Sequence, residues 1–364
     1  MKISEIAGAI ERFAPLILQE SYDNAGLLIG SPSDEVACAL ITLDVTEEVI
    51  DEAIQQNCKL IIAHHPLIFK GIKTIGTKNP VERMITRCIK NDIAVYAAHT
   101  NLDNVHQGVN KMICEKIGLK ETSILDPKAH LLRKLVTFCP EEHANQVREA
   151  LFKAGAGHIG KYDNCSFNTG GQGTFRALEG ANPFVGIVNS LHAENEVRIE
   201  TVFPIYQQSV ILKALIESHP YEEVAFDLYP LENEFSKVGS GMFGILEQPE
   251  ETASFLMRLK ETFEVKCLRH TRLINDKVQT VAVCGGSGSF LMGHAIARHA
   301  DVFITGDVKY HEFFDADGKI LLADIGHFES EQFTTEVIKN ILLEKFPTFA
   351  ARISKIKTNP VFYL

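Results

Sequence analysis

The chain has 364 residues, of which 45% are hydrophobic and 23% are charged. This composition is typical of a globular protein of two or three domains and excludes an intrinsically disordered one. The 36 Lys and Arg residues stand against 47 Asp and Glu residues, and the resulting net charge of -11 argues against broad electrostatic attachment to nucleic acid or to an anionic membrane.

The cysteines and the apolar runs narrow the class of protein further. Eight cysteines are scattered along the chain and none forms a C-x-x-C pair, which excludes a zinc ribbon and a thioredoxin-type motif and indicates reduced thiols. The N-terminus has an amphipathic helical pattern instead of the apolar core of a signal peptide, and no apolar run is long enough to span a bilayer. We therefore expect a cytoplasmic protein in which histidines and carboxylates bind any transition metal.

From about residue 36 the sequence alternates between apolar β-rich runs and amphipathic helices. Pro80 lies in the first turn of the second helix and Gly118 closes the third, at positions that these residues favour. The predicted strands of this first third cover residues 36–46, 58–69 and 92–104, and the predicted helices cover residues 46–57, 79–92 and 105–119.

The last third of the chain repeats this order. Nearly all-apolar strands that alternate with helices indicate a parallel sheet covered on both faces. We therefore predict an α/β fold, with a three-layer parallel-sheet domain made of two βα-repeat halves. The strands of the second half are predicted over residues 278–288, 301–307 and 319–327, and its helices over residues 289–300, 308–318 and 328–346.

The middle of the chain follows a different order, βα–ββ–αβ, which is that of a ferredoxin-like α+β domain. We predict that residues 126–232 form such a domain, inserted into a discontinuous α/β domain of residues 1–125 and 233–364. The strands of the insertion are predicted over residues 131–140, 173–178, 196–204 and 222–232, and its helices over residues 141–157 and 205–219.

Histidines and carboxylates follow five of the predicted strands. Ligands bind beyond the carboxyl ends of the strands in an open parallel sheet, so we expect these side chains to converge at one edge. Pro66 forces a turn in which the adjacent His64 and His65 can face one cavity, and His327 and Glu331 are spaced to share one helix face. The residues in question are Asp44; His64 and His65; His99, Asn101 and Asp103; Asp307; and Asp324, His327 and Glu331.

Five of these residues predict a site for two divalent metal ions per subunit: His64, His65, Asp103, His327 and Glu331. Two ions with about three protein ligands each need about six bonds, so one carboxylate must bridge, and Asp103 and Glu331 are the candidates. Zinc comes first for this ligand set, and iron, manganese and cobalt also suit it. A bridged pair of ions is suited to hydrolysis at a phosphoryl, amide or amidine centre.

Two nearby features each allow two interpretations. His99 is first of all a hydrogen-bonded structural residue, with support of a ligand or catalysis as the alternative. Gly285, Gly286 and Gly288 form a turn whose amides can bind the phosphate of a substrate, although it lacks the spacing and the lysine of known nucleotide motifs. The alternative for this turn is tight packing of a strand against a helix.

Two polar motifs also allow two interpretations each. Lys309 could neutralise a substrate phosphate and Tyr310 could donate a proton, or both could be solvated residues of a helix face. His219, Glu222 and Glu223 are types of residue that bind metals, but we favour a turn into a strand that packs against another subunit.

Several motifs that run over nearly the whole chain carry a family resemblance: SYDNAGLLIG, AHHPLIF, HTNLD, GANPFVG, HPYEEVAFDLYPL, GGSGSFL, TGDVKYHE and DIGHFESE. At these residues the sequence resembles the Nif-three-like proteins, also labelled GTP cyclohydrolase I type 2 homologues. The resemblance implies a dinuclear divalent-metal site with the same five ligands. It also implies a toroidal homohexamer whose metals face an inner cavity, and an insertion similar to PII or CutA-like domains at residues 126–232.

Two functions follow as expectations. The first is a metal-dependent hydrolase that acts on a nucleotide or another phosphorylated small molecule. The family label adds a specific reaction, the hydrolytic opening of the guanine imidazole ring with loss of formate. The second is a non-enzymatic metal-binding or regulatory adaptor ring that binds an effector or a partner protein through the inserted domain.

Overall fold

The computed structural model describes all residues from Met1 to Leu364, and the chain folds into two compact units. The discontinuous unit consists of Met1–Pro127 and Lys237–Leu364, and the inserted unit consists of Lys128–Ser236. The junctions thus fall within a few residues of the predicted ones at 125/126 and 232/233. None of the helices combines the length and the apolar composition that crossing a membrane requires.

The first segment of the discontinuous unit begins and ends its helices at residues that the sequence marks. The Thr46 side chain accepts a hydrogen bond from the Val49 N–H, Asn79 accepts one from Glu82, and Gly118 closes a helix with φ of 86°. The elements are α1 Ile3–Phe13, β1 Gly26–Ile29, β2 Cys38–Thr42, α2 Glu47–Gln55, β3 Leu60–Ala63, α3 Pro80–Lys90, β4 Ala94–Ala97, α4 Thr100–Asp103, α5 Val109–Ile117 and β5 Lys120–Lys128.

The inserted unit is an antiparallel four-stranded sheet with two helices. Side chains alternate along its strands, so Val197, Ile199 and Phe203 join the core while Glu196 and Arg198 lie on the opposite face. The elements are β6 Leu132–Pro140, α6 Ala144–Lys153, β7 Ser166–Arg176, β8 Leu191–Pro204, α7 Gln208–Ser218 and β9 Phe226–Leu231, and the strands are ordered β7-β8-β6-β9.

The last segment returns to the discontinuous unit and supplies most of a second sheet. A 3-10 helix, Tyr310–Ala316, takes the place of the α-helix predicted over 308–318. The elements are β10 Phe235–Glu251, α8 Thr252–Thr262, β11 Arg269–His270, β12 Lys277–Ser287, α9 Met292–Ala297, β13 Val302–Gly306, β14 Leu321–Asp324, α10 His327–Glu331, α11 Thr334–Lys345 and β15 Ala350–Ile353.

The discontinuous unit contains two mixed sheets instead of the single parallel sheet that we predicted. One is ordered β1-β4-β3-β2-β15 and the other β11-β14-β13-β12-β10-β5. The predicted strands are indeed parallel in both sheets, β2 with β3 and β4, and β12 with β13 and β14. The additional strands β1, β10 and β11 pair antiparallel. The strand ends that carry the candidate ligands therefore belong to two sheets.

One pair of cysteines differs from the expectation of reduced thiols. Cys38 and Cys58 form a disulfide, with their Cα atoms 4.8 Å apart. Cys38 begins β2 and Cys58 precedes the adjacent parallel strand β3, so the neighbouring-strand distance brings the two sulfur atoms together. The other six cysteines are free.

The core of the inserted unit generates a first prediction. Leu151 on α6 is fully buried, so replacement by alanine removes apolar contacts and leaves a cavity. We expect Leu151→Ala to lower the free energy of unfolding by about 2–5 kcal/mol, measured by urea denaturation. Lys153→Ala, at an 81% exposed side chain of the same helix, is the control and should stay within about 0.5 kcal/mol of the parent. Equal effects of the two substitutions would contradict the described core.

Candidate metal centre

Two adjacent histidines extend the end of β3. The backbone N–H of His64 donates to the carbonyl of Thr42 (3.2 Å), and that of His65 donates to the carbonyl of Leu43 (2.9 Å). These bonds continue the pairing with β2 up to Pro66, which cannot donate. The two imidazole rings then lie side by side, with centroids 4.9 Å apart.

His64 directs one ring nitrogen toward two carboxylates. Its Nδ1 lies 2.7 Å from the carbonyl oxygen of Ala98, which only accepts, so Nδ1 donates there and Nε2 is the nitrogen left to face the cluster. That Nε2 lies 3.6 Å from Oδ1 of Asp103 and 3.8 Å from Oε1 of Glu331. Neither His64 Nε2 nor Asp103 Oδ1 has a hydrogen-bond partner, although both atoms are sealed from solvent. A buried polar atom without a hydrogen-bond partner costs about 1–3 kcal/mol, and a cation bound between these two atoms would remove that cost.

A second group of ligand atoms lies beside the first. Nε2 of His65 is 3.0 Å and Nε2 of His327 is 3.1 Å from Oε2 of Glu331, and the two nitrogens are 3.2 Å apart. Nδ1 of His65 is held by Asp44 and Nδ1 of His327 by Asp307, each at 2.7 Å. A carboxylate behind each imidazole is the arrangement that orients metal-binding histidines.

Glu331 joins the two groups. Its carboxylate is 5% exposed, with Oε1 toward His64 and Oε2 toward His65 and His327. It lies four residues after His327 on α10, so both side chains leave the same helix face. Of the two carboxylates considered as bridges, Glu331 is the one that reaches both groups with separate oxygen atoms.

The proton affinities reflect a surplus of negative charge. Burial opposes protonation of His65, but Asp44 and Glu331 outweigh it and raise its pKa to about 10. Burial likewise opposes protonation of His327, and Glu331 and Asp307 raise its pKa to about 9. Burial raises the pKa of Asp103 to about 7, while hydrogen bonds from the histidines hold the pKa of Glu331 well below its ordinary value despite burial. The cluster therefore attracts cations, whether protons or metal ions.

His99 lies next to both groups and is held by a residue that the sequence analysis missed. Its Nδ1 lies 2.6 Å from Oδ1 of Asp23. The other carboxylate oxygen, Oδ2, accepts hydrogen bonds from the hydroxyl and the N–H of Thr100. Burial opposes ionisation of Asp23, but these bonds outweigh it and lower its pKa to about 2. The ligand atoms of His64, His65 and His99 also lie within 4.8 Å of one another. The geometry thus allows a ligand role for His99 as well as a structural one.

The glycines at the end of β12 pack against the cluster, so the predicted turn begins only at Gly288. A Cβ on Gly286, whose φ is +62°, would lie 2.3 Å from Oε1 of Glu331. The amides of Gly285, Gly286 and Gly288 already donate to side-chain oxygens of Asn110, Ser330 and Thr305, each at 2.9 Å. These amides are therefore engaged within the protein, and close packing around Glu331 accounts for the glycines without a phosphate.

The remaining candidates lie elsewhere. Lys309 is 84% exposed and pairs with Glu312, and Tyr310 is also exposed; neither lines the cavity next to the histidines. In the inserted unit, both ring nitrogens of His219 are already hydrogen-bonded within its own unit, to the carbonyl of Phe138 and the N–H of Tyr221. His219 is therefore a structural residue of the inserted unit, and the packing of this motif against another subunit stays a prediction.

A cavity of about 810 Å³ opens beside the cluster. His65, His99 and His327 border it, and Phe69 and Phe328 form part of its wall. The last residues of the chain, including Asn359 and Tyr363, complete this wall. A smaller cavity of about 220 Å³ reaches Asp103 and Glu331, so the candidate ligands lie between two open spaces.

The C-terminal residues also contact the residues that hold the cluster. The Thr358 hydroxyl donates to Asp44 (2.6 Å), whose other oxygen holds His65, and Asn359 donates to Glu329 (3.0 Å). Like Asp23, Thr358 lies in no predicted element, and its partner is more than three hundred positions away in the sequence. Neither residue shows a spacing that predicts its place.

Comparison with known proteins finds relatives that match nearly the whole chain. The model of a family described as Duf34/NIF3 (NGG1p interacting factor 3) matches residues 1–360. The chain is 41% identical to a Halalkalibacterium halodurans protein and 40% identical to a Bacillus subtilis protein, each named GTP cyclohydrolase 1 type 2 homolog. These matches cover 97% and 99% of the chain, and 96% and 98% of those proteins.

Solved structures of similar proteins also superpose on the whole chain. A Bacillus cereus protein related to NIF3 superposes with a TM-score of 0.88 at 40% identity, covering 100% of this chain and 99% of that one. Staphylococcus aureus protein SA1388 superposes with a TM-score of 0.79 at 30% identity, with the same coverage.

The close approach of Gly286 to Glu331 generates a second prediction. Because alanine there is strained at positive φ and collides with Oε1, we expect Gly286→Ala to lower the free energy of unfolding by about 1–3 kcal/mol. We also expect a reduced metal content, measured by plasma mass spectrometry. Gly293→Ala on α9, where a Cβ has open space, is the matched control and should retain both properties. Full stability and metal content in Gly286→Ala would contradict this packing.

Proposed function

Since the chain belongs to the Duf34/NIF3 family, we propose that it is a dinuclear divalent-metal hydrolase acting on a nucleotide or another phosphorylated small molecule. One observation carries the proposal: His64 Nε2 and Asp103 Oδ1 are buried, lie 3.6 Å apart and have no hydrogen-bond partner. A divalent cation bound between them would satisfy both atoms at once.

The side chains divide into two sets of three ligand atoms. His64, Asp103 and Glu331 would hold one ion, and His65, His327 and Glu331 would hold the other. Divalent ions bound there would supply Lewis-acid activation of water and of a substrate oxygen.

The supporting residues prepare these ligands in advance. The Ala98 carbonyl, Asp44 and Asp307 each hold one imidazole through its Nδ1, which orients its Nε2 toward the ligand sets.

The substrate class rests on the cavity and on the relatives. A volume of about 810 Å³ lies within the range of sites for small molecules, and Phe69 and Phe328 offer apolar surface for a flat base. The relatives' name, GTP cyclohydrolase 1 type 2 homolog, makes opening of the guanine imidazole ring the first reaction to test.

The identity of the metal, the assembly and the detailed architecture are proposed from fewer observations. Zinc is our first choice for the metal because imidazole and carboxylate ligands suit it, and iron, manganese and cobalt follow. The toroidal homohexamer, the two βα-repeat halves, and the ferredoxin-like, PII or CutA-like nature of the insertion are proposed from the family resemblance and the order of elements.

Metal stoichiometry gives a third prediction. We expect about two divalent ions per chain in the parent protein and about one in His327→Ala or His64→Ala, because each substitution removes a ligand from only one set. Plasma mass spectrometry after dialysis against a weak chelator measures the ratio. His158→Ala, at an exposed histidine of the inserted unit, should keep both ions. A parent protein that retains no ion after reconstitution would refute the metal proposal.

Turnover gives a fourth prediction. Purified protein loaded with zinc, manganese or iron(II) should release formate from GTP, or hydrolyse a member of a phosphoester panel, in a metal-dependent manner. Because Glu331 contacts both ligand sets, we expect Glu331→Gln to lower kcat/KM at least about a hundredfold. Glu336→Gln, at an exposed residue of α11, is the control.

The same assay decides between the two functions. An adaptor ring should tolerate His65→Ala and Glu331→Ala without loss of its binding role, provided that the protein stays assembled. No turnover across the panel with both ions bound would favour the adaptor.

A further inference from the structure

The inserted unit contains a pocket that the metal cluster does not use. It has a volume of about 690 Å³ and lies on the face of the sheet opposite the two helices. Strands β7 and β8 form its floor, and residues 177–184 and 221–225 form its walls. Two motifs of the sequence that contribute nothing to the metal cluster, GANPFVG and HPYEEVAFDLYPL, therefore meet at this pocket, and the N–H of Asn182 joins them by donating to Glu222 (2.9 Å).

Glycines leave part of the pocket floor without side chains. A Cβ on Gly173 would lie 2.1 Å from Oε2 of Glu196, so glycine at this position leaves room for the Glu196 carboxylate. A Cβ on Gly171 would meet no atom within 4 Å, so this glycine leaves open space above the strand. Glycines in a strand interior weaken the strand and commonly mark a place where another molecule approaches the backbone.

Aromatic rings line the space around this floor. The centroid of Tyr221 lies 6.1 Å from that of Phe175 and 6.3 Å from that of Phe184. Tyr221 is held from behind by His219, which accepts from the Tyr221 N–H (3.1 Å) and contacts its ring at 5.1 Å. The Tyr221 ring is thus held in place before any molecule binds, which lowers the entropic cost of binding.

One carboxylate in this apolar setting has no cationic partner. Glu196 accepts a hydrogen bond from the Tyr221 hydroxyl (2.9 Å) and forms no ion pair. The positive charge nearest to it along β8 is balanced, because the Arg198 guanidinium pairs with Glu200 (2.9 Å). The other charged residues at the pocket are Arg176, Glu222 and Glu223, all solvent-exposed.

We propose that this pocket binds a small organic cation with an apolar body, namely an amine or a quaternary ammonium compound. Glu196 would balance the charge, and the faces of Tyr221, Phe175 and Phe184 would contact the apolar body and the cation. A cation within about 6 Å of an aromatic face gains about 0.5–2 kcal/mol, more where water is excluded. This binding is separate from hydrolysis at the metal cluster and does not depend on it.

The test uses the full-length protein and three benzyl compounds of similar size: benzyltrimethylammonium, neutral benzyl alcohol and anionic phenylacetate. We expect saturable binding of benzyltrimethylammonium by calorimetry, at least about tenfold tighter than that of the other two. Glu196→Gln keeps the shape and the hydrogen bond from Tyr221, and should abolish that preference while leaving benzyl alcohol binding unchanged. Glu149→Gln, at a 71% exposed residue of α6, is the matched control and should bind like the parent.

A second variant tests the aromatic contribution without disturbing the core. Phe184 is 52% exposed, so Phe184→Ala should fold normally and weaken benzyltrimethylammonium binding about fivefold. Tighter binding of phenylacetate, absence of saturable cation binding, or an unchanged affinity in Glu196→Gln would each overturn the proposal.

Discussion

Two buried ligand atoms that face each other without a hydrogen-bond partner set the terms for the discontinuous unit. His64 Nε2 and Asp103 Oδ1 lie 3.6 Å apart, and it is the other ring nitrogen, Nδ1, that donates to the Ala98 carbonyl. A cation is the natural solution, and the surroundings agree with that reading at each step. Asp44 and Asp307 hold the imidazoles of His65 and His327 through their Nδ1 atoms. Glu331 reaches both groups, and Gly286 has no side chain that would collide with the Glu331 carboxylate.

The fold supports this arrangement by bringing the ends of two sheets to one place. Backbone hydrogen bonds fix the strand ends, so the side chains that follow them have little freedom. His64 and His65 leave one sheet, and Asp307 and His327 follow strands of the other. Because rigid strands hold the residues on both sides, the ligand atoms can stay close together without a metal to organise them.

The sequence predicts the elements that are fully buried and the residues that follow them. Strands such as β3 and β13 are continuous apolar runs, so they stand out, and so do the histidines and carboxylates at their ends. Strands β1 and β5 are only partly buried and carry no such run, and β10 mixes glycines with charged residues. Their antiparallel pairing, and hence the division into two sheets, therefore has no signal in the pattern. Asp23 and Thr358 were missed for a related reason, since each acts through a contact with residues far away in the chain.

The division of the candidate ligands along the chain has a consequence for protein synthesis. His64, His65 and Asp103 leave the ribosome early, whereas His327 and Glu331 follow only after the whole inserted unit has been translated. Both ligand sets that include Glu331 therefore remain incomplete on the nascent chain. The inserted unit, with its own core, has time to fold in that interval. Under the proposed function, metal ions could therefore load at these two sets only after α10 has been translated, late in the synthesis of each molecule.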